Sequence, residues 1–162
     1  MDITKIKNRE LGDVAEYEVL AQLTALGIKA ALARWNYKDS DIFIDLDGNF
    51  KRVQVKSKRK AEWPGIKGVI GEDILVFVDY QDKKENERPD FYLINAEDWK
   101  ELITKLEKDF PSDVKIDKNN VPHWSPKKEG GKGYLGAGVL INARPKYIAI
   151  GNFKNNWDIL KK

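Results

Sequence analysis

The sequence predicts a mixed fold of helices and strands, α/β (α+β) in class, and three stretches carry that prediction. Residues 9–26 place Leu11, Ala15, Val19, Leu20, Leu23 and Leu26 on one arc of a helical period, the pattern of an amphipathic helix. Residues 40–57 read as a β-hairpin: two runs rich in β-branched and aromatic residues flank Asp47-Gly48-Asn49, and Asp-Gly is a strong turn signal. Ile74-Leu75-Val76-Phe77-Val78 is apolar without a break, as in a buried central strand covered on both faces.

Residues 1–9 form a short basic lead-in. The helix after it is closed by Gly27, a residue suited to the turn that ends a helix. Glu16 falls inside the apolar arc, flanked by Val19, Leu20 and Leu23. A carboxylate facing a core is costly unless it is paired or bound to metal. Glu16 is therefore read as a metal ligand or as an edge glutamate bonded to a lysine or a backbone amide. Residues 29–35 read as a strand and 36–40 as the loop into the hairpin. Trp35 and Tyr37 could frame a groove, with core filler the plainer role for Trp35. Residues 62–68 form an irregular loop by their Pro and Gly content. Trp63 on that loop either stacks on a base or sugar or plugs the loop from beneath.

Further along, 81–89 is a charged turn and 91–94 a strand. Residues 95–108 form a helix with Trp99, Leu102, Ile103 and Leu106 on one face and Lys and Glu opposite, the pattern of packing scaffold. Residues 118–133 are polar and Gly-rich, with Pro122, His123, Trp124 and Pro126. Glu129-Gly130-Gly131-Lys132-Gly133 lacks the spacing of a Walker motif. It reads as a flexible basic loop beside a substrate groove, or as an idle surface loop. Residues 147–150 look like a last strand, and 155–160 like a closing helix pinned through Trp157. No repeat or linker interrupts the chain, so 1–162 is expected to form a single domain, with a core at about 9–108 and a C-terminal elaboration at about 109–162.

Chemistry concentrates on the hairpin. Ile42, Ile44 and Leu46 share one face of its first strand, Val53 and Val55 one face of its second. With those faces turned inward, Asp41 and Asp45 share the other side with Gln54 and Lys56. An acid, an amide oxygen and an ammonium then lie near one another, a place to hold a divalent cation beside a polarised water.

These residues carry a resemblance. Asp41, followed after a hairpin by Gln54-Val55-Lys56, resembles the core motif of the PD-(D/E)XK nuclease superfamily, in the variant with Gln in place of the second acid. Gly12-Asp13-Val14-Ala15-Glu16, opening the helix that ends at Leu26-Gly27, is similar to that superfamily's first helix with its glutamate. The matched span is about 12–57, a minority of the chain. Ser40 stands where the name-giving Pro would be, and Gln54 where an acid is usual. The resemblance implies a restriction-endonuclease-like core, a central mixed β-sheet flanked by helices on both faces. It implies an endonuclease that hydrolyses phosphodiester bonds in DNA with Mg²⁺ or Mn²⁺. Glu16, Asp41, Gln54 and Lys56 would be its catalytic residues. Asp41, the Gln54 side-chain oxygen and the Val55 backbone carbonyl would hold the metal, with Glu16 binding directly or through water. Lys56 would orient the attacking water and stabilise the developing negative charge.

Composition narrows the alternatives. The chain has no cysteine, which excludes disulfides and thiolate metal sites, and one histidine, His123, which excludes two-His zinc motifs. A metal here would be a hard cation held by oxygen. The net charge of +3 is slight, but Lys56, Lys58, Arg59 and Lys60 cluster at the proposed site. Lys58, Arg59 and Lys60, with Trp63 and Lys132, are the candidate nucleic-acid contacts. No apolar run is long enough for a bilayer and no secretory pattern is read, so no membrane partner and a cytoplasmic location are expected. DNA is the expected partner, cut by a homodimer or higher symmetric homo-oligomer. Two rivals stand beside this reading. One is a catalytically inactive nucleic-acid-binding module that retains the nuclease fold, disfavoured by the intact set of four residues. The other is a structural protein whose hairpin only packs the core, which leaves Glu16 and Lys56 unexplained.

Overall fold

A computed structural model describes residues 6–33, 40–60, 63–64, 73–84, 86–109, 111, 114–116, 118, 122–124, 134–136 and 147–161. Helix α1 (Asn8–Ala25) begins where Glu10 reaches back to accept the Lys7 N–H at 2.9 Å. It ends in a Schellman turn. The Gly27 amide donates to the Thr24 carbonyl and the Ile28 amide to the Leu23 carbonyl, each at 3.0 Å, with Gly27 left-handed at φ 77°. That turn takes Leu26 off the apolar arc. Leu26 is exposed, whereas Leu11, Ala15, Val19 and Leu23 are buried.

The strands that follow are β1 (Lys29–Leu32), β2 (Ile42–Leu46), β3 (Asn49–Lys58), β4 (Trp63–Pro64), β5 (Ile74–Asp79) and β6 (Asp90–Asn95). Five of them form a mixed sheet in the order β1-β2-β3-β5-β6, with β3 and β5 parallel and the other neighbours antiparallel. The hairpin β2–β3 turns on Asp47 and Gly48, with Leu46 opposite Asn49. Both turn residues have positive φ, 54° and 91°, which a two-residue hairpin of this twist needs. Helix α2 (Ala96–Asp109) is capped by Asn95, whose Oδ1 accepts the Asp98 N–H at 2.8 Å.

Every residue of β5 is buried, and its side chains alternate between two clusters. Ile74, Val76 and Val78 join Ile42, Ile44, Val53 and Val55 against Leu11, Ala15, Val19 and Leu23 of α1. Leu75 and Phe77 join Ile94 and Trp63 against Trp99, Ile103 and Leu106 of α2. The unbroken apolar run of β5 thus follows from having side chains to bury in both directions.

Among the described residues, β7 (Val114–Ile116) pairs with β8 (Pro122–Trp124), and β9 (Tyr134–Gly136) lies between β4 and β10 (Tyr147–Ala149). The closing helix the sequence suggests is present as a 3-10 helix over Trp157–Lys161. It follows Asn155 at φ 54° and is held by packing, with Ile159 and Leu160 buried and Trp157 edge-on to Phe91 at 5.5 Å. No helix among the described residues is long and apolar enough to cross a membrane. Trp35, Tyr37 and the 129–133 loop with Lys132 lie outside the described residues.

Candidate active site

The hairpin ladder ends where Ile42 meets Val53, while β3 continues along β5 as far as Lys58 opposite Asp79. Asp41 fills the break this leaves. Its N–H donates to the Val53 carbonyl at 3.0 Å, and its carbonyl accepts the Ala33 N–H at 2.9 Å. Its side-chain Oδ2 accepts the Val55 N–H at 2.6 Å, a place on β3 that a backbone carbonyl would otherwise take. A carboxylate bonded to the main chain in this way is short, strong and fixed in direction. It is anchored at the residue between Gln54 and Lys56, both of them half-buried.

Glu16 comes from the sequence neighbour of buried Ala15, on the helix that packs on β3. Burial pushes its carboxyl up from 4.5 to about 7; the negative charges of Asp41 and then Asp13 add to the rise, and the Lys56 ammonium opposes it. Asp41 and Lys56 each lie within electrostatic reach of Glu16. Asp13 is a contributor that sequence reasoning missed, although its place one turn before Glu16 is a visible signal.

No set of three or more Asp, Glu, His or Cys side chains among the described residues gathers as a metal cage. The oxygen groups that the resemblance would assign to a cation are the carboxylates of Asp41 and Glu16, the side-chain oxygen of Gln54 and the main-chain carbonyl of Val55. Mg²⁺ is commonly held through one or two carboxylates, keeping water and substrate phosphate in its other positions. Burial first, and then the charges of Asp41 and Asp13, disfavour a second negative charge at Glu16.

The basic cluster after the site divides into different roles. The Lys58 side chain is only 2 % exposed, with its Nζ 2.7 Å from Asp79 Oδ2. It also donates to the Lys60 carbonyl and to Gln81 Oε1, each at 3.0 Å. This corrects the reading of Lys58 as a phosphate contact. Strand alternation turns it toward the α2 cluster, and the parallel register sets it opposite Asp79. Burial pulls its ammonium below the usual lysine range, and Asp79 opposes that change. Of the two readings of Trp63, the structure supports the plug and not a nucleic-acid contact. Trp63 is buried, edge-on to Phe77 at 5.1 Å and to Tyr92 at 6.1 Å, and its Nε1–H donates to the Lys56 carbonyl at 3.0 Å. A ring so enclosed offers no face to a base. Arg59 is half-buried and donates to the Ile6 carbonyl and to Asn8 Oδ1, tying the end of β3 to the start of α1. Lys60 is exposed. At the turn end of the hairpin, a cavity of about 660 Å³ is lined by residues including Leu26, Leu46, Asp47 and Trp157, and by none of the candidate residues.

Over 96 % of its length the chain is similar in structure to a bacterial homing endonuclease, I-Ssp6803I, with 92 % of that chain covered, 17 % identity and a TM-score of 0.49. Over 67 % of its length it is similar to Hjc, a Holliday junction resolvase from the archaeal hyperthermophile Archaeoglobus fulgidus, with 86 % of that chain covered, 8 % identity and a TM-score of 0.34. No family model matches the chain, and no curated protein matches it. At this level of identity neither likeness says which residues act.

Proposed function

We propose that the chain is a Mg²⁺- or Mn²⁺-dependent endonuclease that hydrolyses phosphodiester bonds in DNA. The observation that supports it most is the Asp41 carboxylate bonded to the Val55 amide, between Gln54 and Lys56 in the chain and within electrostatic reach of Glu16. Asp41, Glu16, Gln54 and the Val55 carbonyl would hold the cation, which would supply charge neutralisation at phosphorus and a water acidified for attack. Asp41 fixes the direction of the donor set, since one of its oxygens is already committed to the main chain. The Lys56 ammonium has three N–H donors, enough to orient a water and still stabilise the charge that grows on phosphate oxygen. DNA fits as substrate because exposed Lys60 follows the site on β3 and can meet a phosphate of the same strand.

The test is nicking of supercoiled plasmid by purified protein, with and without Mg²⁺. Metal-dependent nicking is expected, and Lys56→Ala is expected to lower its rate by roughly 100-fold or more with melting temperature and DNA affinity little changed. Undiminished nicking by that variant removes Lys56 from the chemistry. Binding of DNA without cleavage by the wild-type chain would favour the inactive binding module instead.

A further inference from the structure

Lys58 and Trp63 reach the candidate site from beneath. Lys58 lies two positions after Lys56 on β3, with Ser57 between them, and alternation puts both lysines on the same side of the strand. Lys58 cannot serve solvent or substrate, since its ammonium is enclosed by Asp79, Gln81 and the Lys60 carbonyl. The same ammonium lies 4.6 Å from the centroid of the Trp63 ring, over its face. Phe77 and Tyr92 meet that ring edge-on. The indole is therefore held on several sides, and its single N–H is aimed at one acceptor, the Lys56 carbonyl, at 3.0 Å.

We propose that Trp63 and Lys58 are positioning residues for Lys56: the buried Lys58–Asp79 pair and the aromatic contacts hold the indole, and the indole N–H holds the peptide from which the Lys56 ammonium projects. This rests on the nuclease reading above. Buried ion pairs are often replaceable by apolar side chains with no loss of stability. A network that spends a fully enclosed lysine beside the proposed catalytic lysine is accounted for by geometry. A misplacement of about 1 Å in a reacting group can cost roughly 100-fold in rate. The link also gives a role to the two-residue strand β4, which carries Trp63.

The test removes the N–H alone. Trp63→Phe keeps an aromatic ring, and benzothienylalanine at position 63 keeps the indole's shape while replacing N–H by sulfur. The second variant serves if the first does not fold. The expected result for either is a kcat for Mg²⁺-dependent nicking lower by roughly 10-fold or more, with KM within about twofold, the split that marks loss of an interaction felt in the transition state. An independent readout is the Lys56 ¹³Cε resonance, assigned by its loss in Lys56→Ala, which should move in both variants. Unchanged kcat and an unmoved resonance in the folded benzothienylalanine protein overturn the proposal. If the wild-type chain does not nick DNA, the nuclease reading fails by itself. The resonance then still decides whether Trp63 positions Lys56: a shift supports the link, and no shift removes it.

Discussion

At Glu16 a carboxyl held near neutrality lies one helical turn from Asp13 and within reach of Asp41 and Lys56. Its folded-state pKa of about 7 is above its ordinary value of 4.5, so between those values the folded chain binds more protons than the unfolded one. Stability from this group is therefore fully present below about pH 4.5 and is lost as pH rises toward about 7. Glu16→Gln, which cannot ionise, should raise the melting temperature of the metal-free protein at about pH 8 and leave it unchanged at about pH 4. Mg²⁺ should raise the melting temperature of the wild type more than that of the variant, because a ligand of the folded state stabilises it by mass action. Equal melting curves for the two proteins at both pH values would remove Glu16 from the acidic cluster. Gln54 gives the second prediction at this scale. It offers an oxygen but no charge, so Gln54→Glu should keep nicking and lower the Mg²⁺ concentration required, and Gln54→Leu should lose nicking while folding. A Mg²⁺ titration of the three proteins checks this, and a Leu variant as active as wild type excludes Gln54 as a ligand.

Strand pairing sorts the basic cluster into a buried brace and an exposed edge. Lys58→Ala leaves Asp79 charged and buried without its partner, and breaking such a pair costs about 3–5 kcal/mol, so a large fall in the urea midpoint is expected. Lys60→Ala should leave stability alone and lower the salt slope of DNA binding by about one. A Lys58→Ala protein of wild-type stability, or an unchanged salt slope in Lys60→Ala, would reverse these assignments. Local pattern was sufficient for much of the architecture. The hairpin, the buried β5, the face of α2 and the Gly27 stop are all legible because each is set by neighbours in sequence. The burial of Lys58 was not, and the choice between the two roles of Trp63 stayed open. Asp79 reaches Lys58 through a parallel pairing between strands that are far apart in the sequence, and Pro- and Gly-rich surroundings describe the backbone around Trp63 without saying which way its ring turns. Of the candidate site, the strand face shared by Gln54 and Lys56 was legible. The Asp41 bond to the Val55 amide was not, because it depends on where β2 stops pairing with β3.

At the scale of the whole molecule, the candidate site has one Asp41, one Gln54 and one Lys56, a donor set for one phosphodiester at a time. A duplex has two strands of opposite direction, and two copies related by a two-fold axis present two such sites in matching orientation. Double-strand cleavage by this chain is therefore expected to come from a symmetric homodimer or a larger symmetric assembly. The prediction is that supercoiled plasmid at low protein concentration gives nicked circles, and that linear product appears directly only where sedimentation shows an assembled protein. Mixing wild type with Lys56→Ala should then convert linear product to nicked circles, because a mixed dimer carries one working site. Concerted linearisation by a protein that sediments as a monomer at the same concentration would count against the dimer. A mixture that loses linear product without a gain in nicked circles would show that the two sites do not act one per strand.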